Sequence, residues 1–132
     1  MDHLTRADGT RLAYHLHEGR GPTIIFLPGY MSDMSGSKAL ALEAWAASER
    51  RSFLRFDYAG CGQSEGAFED QTLIDWRDDT LLTIDTLVSG PVVLVGSSMG
   101  GWLMLLVTLA RPDRVGGGGR NRGGARLYRL GL

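Results

Sequence analysis

Cysteine, histidine and long apolar runs are all scarce in this sequence of 132 residues, and each shortage narrows the classes of protein it can encode. The single cysteine, Cys61, excludes an internal disulfide bond and fits a reducing compartment. The longest apolar stretch, residues 102–110, is far shorter than the roughly 20 residues that cross a bilayer. A formal net charge of −1 gives no electrostatic reason to expect nucleic acid or a membrane surface as a partner.

Targeting signals and metal-ligand patterns are also lacking. The chain has no charged start followed by an apolar run, so we expect no secretory signal and a cytoplasmic location, or a mitochondrial one if the chain is eukaryotic. All three histidines, His3, His15 and His17, lie near the N-terminus. His15 and His17 share a face of one predicted strand, but no third ligand is apparent. We therefore expect no metal and no cofactor.

Short β-rich apolar runs alternate with helical segments along the chain. Asp8 and Gly9 are a turn signal between two strand-like runs, which predicts an N-terminal hairpin. Further strands are predicted at residues 23–27, 53–56 and 92–95, and helices at 37–50, 71–88 and 100–111. This alternation predicts an α/β fold, with a mostly parallel sheet covered by helices on both faces. With at most five strands predicted, residues 92–95 would form an exposed edge of that sheet.

The segment Gly96-x-Ser98-x-Gly100 stands between an apolar strand and an apolar helix. A serine hydroxyl is a poor nucleophile unless it is exposed and held near a base. A sharp turn between strand and helix exposes the hydroxyl, and the turn tolerates only small residues two positions to either side. Gly96 and Gly100 satisfy this requirement, whereas Ser97 has bulky residues at the same spacing. The alternative is an ordinary glycine-rich turn.

Acyl transfer by such a serine also needs hydrogen-bond donors for the negative charge that develops on the carbonyl oxygen. The backbone N–H of Met99, at the start of the helix, can supply one donor. The other usually comes from a loop after an earlier strand, and Tyr30 of the run Phe-Leu-Pro-Gly-Tyr at 26–30 holds that position. A plain Pro-Gly turn is the alternative.

Together with the loop Phe-Asp-Tyr-Ala-Gly-Cys-Gly-Gln-Ser at 56–64, these features make residues 8–115 resemble an α/β-hydrolase. The run at residues 27–39 resembles the branch of this family that contains the mitochondrial palmitoyl-protein thioesterase and its bacterial relatives. It reads Leu-Pro-Gly-Tyr-Met-Ser-Asp-Met-Ser-Gly-Ser-Lys-Ala. The resemblance implies a Ser–Asp–His hydrolase acting on acyl esters or thioesters of small molecules or acylated proteins. It assigns Ser98 as the nucleophile and Tyr30 and Met99 as the oxyanion donors, and it leaves the oligomeric state open.

Several acidic residues and the cysteine have a simpler expected role. Cys61 stands where many members of this family carry histidine, and we expect it to be structural. Asp57 is expected to accept hydrogen bonds from backbone N–H groups rather than to serve as the triad acid. A solvated helix face is expected for Asp75, Asp78, Asp79 and Asp85.

The residues after Ser98 do not supply the rest of a triad. In this fold the order along the chain is serine, then aspartate or glutamate, then histidine. Asp113 is the only carboxylate side chain after Ser98, a solvated capping role is expected for it, and no histidine follows. We therefore expect a hydrolase by descent that is inactive or nearly so as written. The alternative is a non-catalytic fragment or binding module whose basic tail contacts nucleic acid.

Residues 116–132 are rich in glycine and arginine and contain no acidic residue, unlike the preceding 115 residues. We expect residues 1–115 to be the N-terminal portion of a hydrolase domain, which is incomplete in this chain. Residues 116–132 are expected to be a non-native tail. A flexible basic tail of the RNA-binding kind is one interpretation. The other is a shift of reading frame after about Val115. Codons can be chosen that encode residues 120–132 and that, when the reading frame begins one base later, encode a different peptide. That peptide is Gly-Ile-Ala-Ala-Ala-Pro-Asp-Phe-Thr-Ala-Trp-Ala, which has the pattern of an apolar strand followed by a loop.

The frameshift hypothesis predicts a specific result from the nucleotide sequence of the gene. A single-base insertion or deletion near the codon for Val115 should restore a long open frame that encodes a later aspartate and histidine. The hypothesis fails if no single-base change restores such a frame.

Overall fold

The computed structural model describes residues 2–115 and 127–130, whose alternating apolar runs form one mixed sheet with helices on both faces. The strands are β1 (Asp2–Thr5), β2 (Arg11–His17), β3 (Arg20–Leu27), β4 (Arg51–Phe56), β5 (Val92–Ser97) and β6 (Leu127–Leu130). The helices are α1 (Ser37–Ser48), α2 (Leu73–Leu87), α3 (Met99–Ala110) and α4 (Pro112–Val115), with a short 3₁₀ helix at Phe68–Asp70. Among the described helices, none is long and apolar enough to cross a membrane.

The strand order is β1-β2-β4-β3-β5-β6. The pairs β1–β2 and β2–β4 are antiparallel, whereas β4–β3, β3–β5 and β5–β6 are parallel. The carboxyl ends of the parallel strands therefore meet at one edge, which is where ligands bind in open α/β sheets. The predicted α/β class, with its largely parallel sheet, is confirmed.

The predicted N-terminal hairpin is present as β1 and β2. Gly9 adopts a positive φ of 92°, which favours glycine, and its N–H donates to the carbonyl of Arg6. The Asp8 carboxylate accepts a hydrogen bond of 2.9 Å from the N–H of Thr10, which closes the turn. The two turn residues thus determine the register of the strands.

Continuous apolar runs in β3 and β5 place hydrophobic side chains on both faces of the sheet. Ile25, Leu27 and Leu94 pack in the main core cluster, which also contains residues of α2 and α3. Phe26 and Val93 point the other way and pack with alanines of α1. The helices therefore cover both faces, as the alternation of strands and helices predicts.

Asp79 is a correction to the expected solvated face of α2. Asp79 is buried, because it lies three residues after the buried Trp76 on the same side of the helix. Its carboxylate accepts a 2.9 Å hydrogen bond from the N–H of Ala59 and lies 3.3 Å from Nε of Arg6. The other three acidic residues lie nearer the surface: Asp75 caps the helix with Thr72, Asp78 pairs with Arg77, and Asp85 pairs with Arg111.

The expectation of at most five strands, with residues 92–95 at the edge, is wrong. Leu127–Leu130 pairs in parallel with β5, so that Leu94 lies opposite Leu127 and Ser97 opposite Leu130. This pairing gives partners to backbone N–H and C=O groups that an edge strand would leave open. Residues 116–126, which make up most of the predicted tail, lie outside the described residues.

Burial of Asp79 predicts a pH-dependent stability. Desolvation raises the pKa of this carboxyl above its ordinary value of 3.8, so the folded chain holds the proton more tightly than the unfolded chain. The free energy of unfolding should therefore fall as the pH rises from about 4 toward the folded-state pKa. Asp79→Asn has no carboxyl to ionise at this position, so it should not show this loss of stability. The free energy of unfolding of the variant, relative to that of the unmodified chain, should therefore rise as the pH increases from about 4 toward the folded-state pKa. Urea unfolding at several pH values measures the difference.

Asp113→Asn is the control, because it removes one exposed negative charge and Asp113 is not among the charged groups that act on the Asp79 carboxyl. A parallel pH dependence for the Asp79→Asn variant and the unmodified chain would show that the buried carboxylate is not its source.

Candidate active site

Ser98 occupies the turn that connects β5 to α3. Its backbone has φ 56° and ψ −117°, in the left-handed half of conformational space that non-glycine residues rarely adopt. Such a conformation costs on the order of 1–3 kcal/mol and persists only where the surrounding structure enforces it. Ser98 is exposed, while β5 before it is buried. The turn therefore presents the Ser98 hydroxyl above the carboxyl edge of the sheet.

Two glycines allow this turn because the backbones around it approach very closely. A Cβ atom at Gly96 would lie 2.5 Å from the carbonyl carbon of Gly100. A Cβ atom at Gly100 would overlap the carbonyl oxygen of Leu27, at the end of β3. No side chain fits at either position, so the spacing of two residues on each side of Ser98 has a direct steric cause.

The loop after β3 lies against the Ser98 turn. A Cβ atom at Gly29 would be 2.9 Å from the carbonyl oxygen of Ser97 and 3.1 Å from Cβ of Ser98. The buried hydroxyl of Tyr58 donates a 2.9 Å hydrogen bond to the carbonyl of Pro28, which holds the loop from below. The next residue, Tyr30, is exposed.

Met99 and Tyr30 flank Ser98 from two different elements. Met99 is the first residue of α3, where backbone N–H groups have no acceptor inside the helix. Tyr30 follows β3, which pairs directly with β5 so that Leu27 lies opposite Gly96. Tyr30 and Met99 thus adjoin Ser98 in the structure, one in the loop after β3 and the other at the start of α3.

Asp57 organises the neighbouring loops through backbone hydrogen bonds. One carboxylate oxygen accepts a 2.7 Å hydrogen bond from the N–H of Met34, and the other accepts a 2.9 Å hydrogen bond from the N–H of Gln63. Burial raises the pKa of this carboxyl, and the two N–H donors oppose that effect. The expected structural role of Asp57 is confirmed.

Cys61 is buried in the same loop. Burial, with the nearby Asp57 and Asp79 charges, raises the pKa of its thiol to about 11, which disfavours the reactive thiolate. Its packing within the main core cluster agrees with a structural role.

The three histidines lie on β1 and β2, and in the part of the chain that the structure describes none of them is beside Ser98. His17 is on β2, where its Nε2 is 2.8 Å from a carboxylate oxygen of Glu43 that also binds Arg55 at 2.7 Å. Strands β4 and β3 separate β2 from β5. Asp113 is exposed in the first turn of α4, as expected. Across residues 2–115 and 127–130, no three potential ligand side chains group in a way that could hold a metal ion.

Lys38 is a neighbour of the turn that the motifs did not reveal. Its Nζ lies 3.4 Å from Oγ of Ser97, and both residues line a cavity of about 300 Å³ beside the turn. The sequence holds two signals: Lys38 belongs to the run at 27–39 that carries the family resemblance, and it falls in the first helical turn after the Pro-Gly-Tyr loop.

The fold and this turn define the class of the protein. A sequence profile described as the alpha/beta hydrolase family matches residues 24–128. The chain belongs to the α/β-hydrolase family.

Among individual proteins, the chain is 50% identical over 115 residues to the human palmitoyl-protein thioesterase ABHD10, mitochondrial, covering 87% of this chain and 38% of that protein. It is 31% identical over 110 residues to (E)-2-((N-methylformamido)methylene)succinate hydrolase of Acinetobacter baylyi, covering 80% of this chain and 39% of that protein. The chain therefore spans less than half the length of these relatives.

Solved structures show the same relationship. The mouse alpha/beta hydrolase domain-containing protein 10 superposes with a TM-score of 0.83 at 46% identity, over 86% of this chain and 45% of that one. A putative hydrolase from Agrobacterium vitis superposes with a TM-score of 0.80 at 34% identity, over 97% of this chain and 48% of that one.

The close approach at Gly100 predicts a large effect of one methyl group. Gly100→Ala should lower the free energy of unfolding by about 1–3 kcal/mol, because the new Cβ must displace the backbone of β3. Chemical denaturation measures this change.

Gly36→Ala is the control, because its Cβ would meet nothing closer than 3.5 Å and its φ is −66°. Equal destabilisation of the two variants would contradict the steric account of the turn.

Proposed function

We propose that Ser98 is the nucleophile of a serine hydrolase that cleaves acyl esters or thioesters. The observation that carries this proposal is the exposed, left-handed Ser98 between two glycines that admit no side chain. The 50% identity to a protein named as a palmitoyl-protein thioesterase supports the ester or thioester class. The substrate would be a small molecule or an acylated protein.

In the proposed reaction, Oγ of Ser98 attacks the carbonyl carbon of the substrate and loses its proton to a base. The carbonyl oxygen becomes negative and accepts hydrogen bonds from the N–H groups of Tyr30 and Met99. The carbon–sulfur or carbon–oxygen bond then breaks, and the thiol or alcohol leaves with a proton. Water hydrolyses the acyl-serine in a second step of the same kind.

The proposed reaction needs a base beside Ser98, and in this chain of 132 residues the histidines lie elsewhere. Its three histidines precede β3 in the sequence, and His17 is held by Glu43 on a strand far from Ser98 in the sheet order. Without a base, a serine hydroxyl is a weak nucleophile, and the oxyanion donors and binding alone give on the order of 10³–10⁴-fold over water. We therefore propose that the chain by itself is nearly inactive.

Two further proposals concern the cellular location of the protein and the division of the chain into two parts. We propose a cytoplasmic location, or a mitochondrial one if the chain is eukaryotic. The name of the human relative, which includes the word mitochondrial, supports the second alternative only. Residues 1–115 are proposed as the hydrolase portion and 116–132 as a non-native tail. The pairing of β6 is compatible with a non-native tail, because parallel pairing uses backbone groups that any sequence supplies.

A fluorophosphonate probe tests the nucleophile. We expect slow formation of one adduct on Ser98, located by mass spectrometry of peptides. Free imidazole should accelerate labelling several-fold, because it supplies the proton acceptor that the chain lacks near Ser98.

Two alanine variants make the test specific. Ser98→Ala should abolish labelling, while Ser97→Ala should retain it, since Ser97 lies in β5 before the turn. Absence of any adduct, with or without imidazole, would instead favour a non-catalytic fragment. Labelling that survives Ser98→Ala would contradict the assignment of the nucleophile.

A further inference from the structure

The loop after β3, which lies against the Ser98 turn, contains a strained turn of its own at residues 29–32. The N–H of Ser32 donates a 3.1 Å hydrogen bond to the carbonyl of Gly29. Between them, Met31 has a φ of 55°, in the left-handed region that non-glycine residues rarely adopt. Such a conformation persists only where the surrounding structure enforces it. The turn that carries Tyr30 therefore needs contacts from outside the loop.

Tyr58 supplies the first of these contacts. Its side chain is fully buried, and its hydroxyl donates a 2.9 Å hydrogen bond to the carbonyl of Pro28, two residues before Tyr30. Burial raises the pKa of Tyr58 well above its ordinary value of 10, so the hydroxyl keeps its proton and remains a donor. The ring packs against Phe56 and Trp76, with centroids 5.3 Å and 5.9 Å apart. The hydroxyl is therefore held in place from three sides of the core.

Phe68 supplies the second contact, on the ring of Tyr30. The two rings meet edge to face, with centroids 5.4 Å apart and planes at 73°. Phe68 in turn packs on Trp76, with a centroid separation of 5.4 Å. Its backbone is also closely packed, because a Cβ atom at Gly60 would lie 2.7 Å from it. The exposed ring of Tyr30 therefore rests on a neighbour that is itself held in place.

We propose that Tyr58 and Phe68 are positioning residues, which hold the backbone N–H of Tyr30 where it can donate to the developing oxyanion. Tyr58 fixes the backbone before Tyr30, and Phe68 fixes its side chain. In the proposed reaction, neither residue touches the reacting atoms. Precise placement matters, because a displacement of about 1 Å can slow a reaction on the order of 10²-fold. This inference rests on the proposed hydrolase function, but placement of the N–H can be measured without it.

The alternative is that Tyr58 and Phe68 serve only the stability of the core. Tyr58 belongs to the main core cluster, and Phe68 packs against it. A purely structural role predicts that every reaction of the side chain at position 98 changes to the same extent when either residue is altered. A positioning role predicts a change only in reactions that place negative charge on a carbonyl oxygen. Two reactions of one nucleophile can therefore separate the roles.

Ser98→Cys in the whole chain provides such a nucleophile, because part of a thiol is ionised near neutral pH without a separate base. With p-nitrophenyl acetate, the thiolate attacks the carbonyl carbon, p-nitrophenolate leaves and an acetyl thioester forms. With iodoacetamide, the thiolate displaces iodide, and no carbonyl oxygen gains negative charge. Peptide mass spectrometry distinguishes this thiol from that of Cys61, which is buried and has a pKa of about 11. The readout is the ratio of the acylation rate to the alkylation rate.

In the Ser98→Cys background, Tyr58→Phe removes the hydroxyl but keeps the ring, and it should lower this ratio about tenfold to a hundredfold. Phe68→Leu should also lower the ratio, and it provides the test if Tyr58→Phe fails to fold. Thr83→Val is the control, because it removes a buried hydroxyl that donates 2.7 Å to the carbonyl of Asp79 within α2, away from the loop. An unchanged ratio in either folded variant, or an equal fall in Thr83→Val, would overturn the proposal.

The fluorophosphonate reaction of the unmodified chain separates this inference from the hydrolase proposal. If Ser98 is not labelled but the ratio still falls in Tyr58→Phe and Phe68→Leu, the positioning role stands and the hydrolase function does not. Labelling of Ser98 together with an unchanged ratio would support the hydrolase function and contradict the positioning role.

Discussion

The architecture of the site depends on one close contact, between the backbone of Gly100 at the start of α3 and the carbonyl of Leu27 at the end of β3. This contact brings α3 against the sheet so tightly that only glycine fits, and Gly96 and Gly29 meet the same limit at the same turn. The left-handed conformation of Ser98 is a consequence of this geometry. The strain at Ser98 is offset by the packing of β5 and α3 into the main core cluster.

The loops around the turn are held by buried polar groups rather than by packing alone. Tyr58 binds the carbonyl of Pro28, and Asp57 binds the N–H groups of Met34 and Gln63. Buried polar groups with complete hydrogen bonding favour a single arrangement of the chain, since any other arrangement leaves them unpaired. The residues that support the candidate site thus differ from those that would carry out its chemistry.

Local patterns in the sequence predict the hairpin, the strands that carry the site and the turn at Ser98, because turn residues and apolar runs act over short distances. They do not predict that Asp79 is buried, since its partners Arg6 and Ala59 come from distant parts of the chain. For the same reason they do not predict the pairing of Leu127–Leu130 with β5 or the contact between Lys38 and Ser97. Long-range pairing depends on the whole sheet rather than on any local signal.

We propose that Ser98, Tyr30 and Met99 form one site. A crystal structure of the chain after reaction with a phosphonate probe tests it most directly. We expect a bond between phosphorus and Oγ of Ser98, with the phosphoryl oxygen about 2.7–3.1 Å from the backbone nitrogens of Tyr30 and Met99. A phosphoryl oxygen that points to solvent, or an adduct on another residue, would contradict the account.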